Sequence, residues 1–107
     1  MNLNYKLTPA DIKTILFTLS ILPSLELEDT PQQAKLNEIC CISAAEKLAK
    51  GDIKFTANEI RVISASIQVV HMINKGWLEV DADLKKDCSV YVFDINRLIS
   101  VFEIDFE

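Results

Sequence analysis

Three cysteines, one histidine and two groups of carboxylates are the residues of this chain whose types could do covalent, acid–base or metal chemistry. Cys40 and Cys41 are adjacent. On a helix their side chains diverge by about 100°. That suits neither an internal disulfide nor a zinc site, whose thiolates stand roughly two to four residues apart. Cys88 follows Cys40 by 48 residues and is expected to fill an equivalent packing position. A buried free cysteine behaves as a small apolar side chain. His71 has no second histidine to share a metal with and no recognisable nucleophile motif beside it, so a structural or surface role is expected rather than a general base.

Glu26, Glu28, Asp29, Glu79, Asp81 and Asp83 cluster in two connections between predicted helices. Neither a calcium-loop pattern nor a paired Glu-x-x-His motif is present, so these acids read as solvated caps and linkers. A glycine-rich phosphate loop is also missing. Trp77 stands directly after Gly76, where an aromatic side chain can anchor a partner or cover the end of a bundle. Together these residues predict no catalysis, no cofactor and no metal.

The chain has 107 residues, half of them hydrophobic, which predicts one domain with a modest core over 1–107. With two glycines and three prolines there are few breakers, which favours long helices over a sheet with many tight turns. The net charge is −5 and the lysines and arginines are scattered, which argues against binding nucleic acid or an anionic membrane. The first six residues lack the basic and apolar regions of a signal peptide. The apolar stretch Ile12 to Leu22 falls short of the ~20 residues that span a bilayer. An odd number of cysteines fits a reducing compartment, so a cytoplasmic location is expected.

The elements can be read from caps and periodicity. Lys6 to Ile15 aligns with Lys54 to Ile63 at a spacing of 48, and the match extends from Lys6–Leu22 to Lys54–Val70. Lys6/Lys54, Thr8/Thr56, Ile12/Ile60 and Ile15/Ile63 are identical, and Asp11/Glu59, Lys13/Arg61 and Ile21/Val69 are conservative. A fixed spacing of this kind marks a repeated supersecondary unit. Thr8 with Pro9 and Asp11 starts a first helix, which Pro23 ends. Thr30, Pro31 and Gln33 start a second with a capping box, stopped by Gly51, with Ala34, Cys41, Ala45 and Ala49 as a row of small side chains. Thr56 and Glu59 start a third, stopped by Gly76.

Leu84, Cys88, Tyr91, Val92, Ile95, Leu98, Ile99 and Phe102 predict a fourth helix, capped by Asp81 or Asp83. Ser89 to Phe93 has strand composition but no second strand to pair with. Residues 103–107 are expected to fray. The predicted fold is all-α, a small antiparallel bundle of two αα-hairpins with an approximate internal twofold repeat, unit one about 6–51 and unit two about 54–103.

Helix 3 is apolar on two sides. Ile60, Ile63, Ile67 and Val70 repeat the core stripe of helix 1, while Val62, Ala65, Val69, Met72 and Ile73 lie roughly opposite. Phe17 and Ile21 are a smaller counterpart on helix 1. Either helix 3 is central and both stripes are core, or the second stripe, with Trp77, meets a partner. The functional expectation is a protein–protein interaction module, self-associating as a homodimer through that face or binding another protein. The alternative is an acidic inhibitor or regulator of a basic partner. An enzyme built on His71 and a helix-turn-helix DNA reader are weaker, the latter because helix 3 offers only Arg61 and Lys75 to phosphates.

Overall fold

In both repeated segments a threonine in extended backbone opens a helix. Thr8 (φ −79°, ψ 163°) accepts at Oγ1 from the Asp11 N–H, and its own N–H donates to Asp11 Oδ2 at 2.9 Å. Thr56 (φ −74°, ψ 165°) does the same with Glu59, its N–H donating to Oε1 at 2.7 Å. Each box satisfies two backbone or side-chain partners at once, and losing such a cap costs about 1 kcal/mol. A computed structural model describes residues 7–25 and 30–104. Its described residues are all-helical, with α1 (Pro9–Ile21), a 3₁₀ turn (Leu22–Leu25), α2 (Pro31–Ala49), α3 (Ala57–Lys75), α4 (Ala82–Ser89) and α5 (Val92–Val101).

The helix stops follow glycine chemistry. Gly51 and Gly76 adopt φ +75° and +77°, and the N–H groups of Asp52 and Trp77 reach back to the carbonyls of Lys47 and Met72 at 2.8 and 2.9 Å. Two expectations need correcting. Thr30 caps α2 by accepting from the Gln33 N–H, but the reciprocal half of the box is absent, because the Gln33 side chain turns down the helix and donates to Asn37 Oδ1 at 3.0 Å. Of the residues expected to fray, 105–107 lie outside the described residues, and 103 and 104 are tied back to α5. Glu103 takes φ 51° and the Ile104 N–H bonds the Ile99 carbonyl at 2.9 Å, the same 6→1 closure as after α3. The end of α1 is softer than expected, since Leu22 stays helical before Pro23 and the chain tightens into the 3₁₀ turn.

The predicted fourth helix is two helices, broken at Val90–Tyr91. Tyr91 leaves the helical path (φ −102°, ψ 10°) and stacks on Phe17 of α1, with ring centroids 4.3 Å apart. At the break the Cys88 carbonyl accepts from the Tyr91 N–H and from the Asn74 side-chain amide, both at 3.1 Å. Strand-like composition therefore produced a helix corner and no strand.

Helix α3 touches each of the other four helices and the 3₁₀ turn. Ile63, Ile67, Val70, Val62 and Ile73 are fully enclosed, packed with Ile15, Leu19, Ile95 and Leu98. Each such aliphatic side chain contributes about 1.5–3 kcal/mol on burial. Most of both stripes of α3 is thus buried within the chain, with Ile60, Ala65 and Met72 half-buried.

Candidate functional site

Half-buried His71 packs edge-on against Trp77, with centroids 5.7 Å apart, and burial, then the Lys75 charge, pushes its pKa below the ordinary value. All three cysteines are buried, and none forms a disulfide among the described residues. Burial, with the neighbouring Cys40, pushes the Cys41 thiol up to about 11, and burial, with Asp87, does the same to Cys88. Thiols so protonated are poor nucleophiles at neutral pH. Asp81 caps α4, its Oδ1 accepting from the Leu84 N–H at 2.8 Å, while Glu79 and Asp83 lie exposed. Glu26, Glu28 and Asp29 lie outside the described residues. Among the described residues no three histidine, cysteine or acidic side chains converge as metal ligands. No helix among them is long and apolar enough to cross a membrane.

The two capping acids carry a second task that local sequence does not reveal. Asp11 is fully buried and its Oδ1 faces the guanidinium of Arg97 on α5. Glu59 is almost fully buried and accepts from Lys47 Nζ of α2 at 2.6 Å and from the Ser43 hydroxyl. Burial alone would raise the Glu59 pKa, but the Lys47 ammonium, the Ser43 hydroxyl and the Thr56 N–H outweigh it and hold the carboxyl at about 2. These are latches between helices. Arg61, weighed above as a phosphate contact, instead donates to Asn37 Oδ1 at 2.7 Å.

The face expected to meet a partner lies mostly inside the molecule. Val62 and Ile73 are completely enclosed, Val69 and Ile21 are buried, and Ala65, Met72 and Phe17 are half-buried. Only Trp77 remains mainly exposed, at 61 %. The physical reason is that α3 packs against all four other helices, which leaves little of its second stripe open to solvent.

Exposed apolar surface appears elsewhere. On α2, Leu36, Ile39 and Ile42 are 40 %, 55 % and 53 % exposed. At about 100° per residue the three fall within one sector of about 120°, centred on Ile39. Ile42 also forms one lip of a mainly apolar groove of ≈ 320 Å³ between α1 and α2, with Leu16, Leu19, Pro23, Cys41 and Ala45, and with Ser20 and Glu38 as its polar members. A second patch, Val90 and Phe93, stands at the α4–α5 corner. Sequence reading passed over the α2 stripe because this helix is apolar in every direction at Ile39-Cys40-Cys41-Ile42, so no single face stands out. That very feature was the available signal, since four consecutive apolar residues cannot all point at one core.

No protein-family model matches the chain, and no curated protein and no solved structure is significantly similar to it.

Proposed function

We propose that this protein is a small helical protein–protein interaction module that associates with itself and binds rather than catalyses. The observation that carries this is the row Leu36, Ile39 and Ile42, three large aliphatic side chains left in solvent one turn apart beside an apolar groove. Isolated apolar residues on a surface are ordinary, but a contiguous row rimmed by charged residues is the composition of a contact site. Relative to the expected α3 face, the proposed contact lies on α2, because Val62, Val69 and Ile73 of that face are buried within the chain.

Light scattering over a dilution series at two salt concentrations tests this. A dimer that resists salt is expected from an apolar contact. Ile39→Asp should shift the equilibrium to monomer while helix content by circular dichroism is unchanged. A monomer at every concentration would refute self-association and leave a different protein as the partner.

The same reading treats the fold as two related helical units, about 6–51 and 54–103, packed as a pair of hairpins. It is supported by the matched caps at Thr8 and Thr56, and by a reciprocal pattern in the latches. The α1 acid is held by a base on α5, and the α3 acid by a base on α2.

A further inference from the structure

Resting on self-association through α2, we infer that the second copy of this chain pairs α2 against α2 antiparallel, centred between Ile39 and Ile42. The charge pattern around the apolar row selects this arrangement. Lys35 and Glu46 are both exposed on α2, and no ion pair of the described residues involves either. They stand three turns apart, at about 20° from one another around the axis and about 16 Å along it. Both lie within the sector defined by Leu36, Ile39 and Ile42, and they are equidistant from the midpoint of Ile39 and Ile42.

A twofold contact brings residue i to residue j and j to i. Centred on that midpoint, it sets Ile39 over Ile42 of the second copy and Lys35 over Glu46, each pair occurring twice. A parallel pairing in register would instead set Lys35 against Lys35 and Glu46 against Glu46, which repels at both ends. The pairing leaves the groove between α1 and α2 beside the contact, with Ile42 at its lip.

Charge reversal tests the register, and net charge supplies the control. Lys35→Glu takes the chain from −5 to −7, and Glu46→Lys takes it from −5 to −3. If only net charge mattered, the second substitution would tighten association. The antiparallel register instead makes both single variants weaker, by roughly tenfold each at low salt, because each converts two attractions into two repulsions. An equimolar mixture of the two variants should regain wild-type affinity as a heterodimer, read by sedimentation velocity with one variant labelled. Both sites are exposed, so circular dichroism should show folded protein throughout. Variants that dimerise like wild type, or that follow net charge alone, would overturn the register while leaving self-association standing. A wild-type monomer would overturn both, and the dilution series separates these cases.

Discussion

Ser66 Oγ donates to Thr18 Oγ1 at 2.9 Å in the buried contact between α1 and α3, and the two residues are 48 apart, the spacing of the repeated segments. Each hydroxyl also lies 2.8 Å from a carbonyl on its own helix, Thr18 from Ile15 and Ser66 from Ile63, and those two isoleucines are themselves 48 apart. A hydroxyl has one proton. With Thr18 donating to Ile15, its oxygen is free to accept from Ser66.

A double-mutant cycle on this pair has a definite expectation. Ser66→Ala leaves Thr18 donating to Ile15, and Thr18→Val lets the Ser66 hydroxyl turn to the Ile63 carbonyl 2.8 Å away, so neither strands a buried donor. Each single change should cost about 1 kcal/mol, and the double should cost less than their total by about 0.5–1 kcal/mol. Urea unfolding of the four proteins measures it. Strict additivity would mean the hydroxyls do not bond to one another.

Acid should weaken the fold through Glu59. Its pKa is held at about 2, below the ordinary 4.5, so the folded state binds its proton less readily than the unfolded chain. The stabilisation is fully present above pH 4.5 and is lost as pH falls towards 2, amounting to something of order 2–3 kcal/mol. His71 acts with the same sign at higher pH, since burial disfavours its protonated form in the folded state. In Glu59→Gln the loss between pH 5 and 2 should be smaller than in wild type, by urea midpoints at each pH. An unchanged slope would remove Glu59 from the account.

The helix stops offer changes of opposite sign. Glu103 holds a left-handed φ of 51° that favours glycine, so Glu103→Gly should stabilise by about 1 kcal/mol. Gly76 has φ +77° with open space where a Cβ would sit, so Gly76→Ala should destabilise by about 1 kcal/mol for conformational reasons alone. Thermal melts of the two variants should move in opposite directions.

What the sequence revealed was what acts over three or four residues. Thr8 with Asp11, Thr56 with Glu59, and the glycines after α2 and α3 are local devices, and they stand where residue spacing puts them. The break at Tyr91 comes with contacts to Phe17 and, through Cys88, to Asn74, residues far away in the chain that helical periodicity does not register. The same holds for Asp11 and Arg97, whose pairing no local pattern encodes. The candidate site was the least legible part. A second apolar stripe on α3 and an outward row on α2 leave similar patterns, and which helix is surrounded depends on the packing of all five.

Helix α2 rests mainly on α1 and α3, whereas α3 packs against all four other helices. In hydrogen-exchange terms the two helices are expected to open as different units. Amides of α3 should exchange only through global unfolding, and those of α2 earlier, as that helix lifts and uncovers the floor of the groove. A second copy seated on α2 would close that route, so protection of α2 would rise with protein concentration while the corner bearing Val90 and Phe93 kept its own rate.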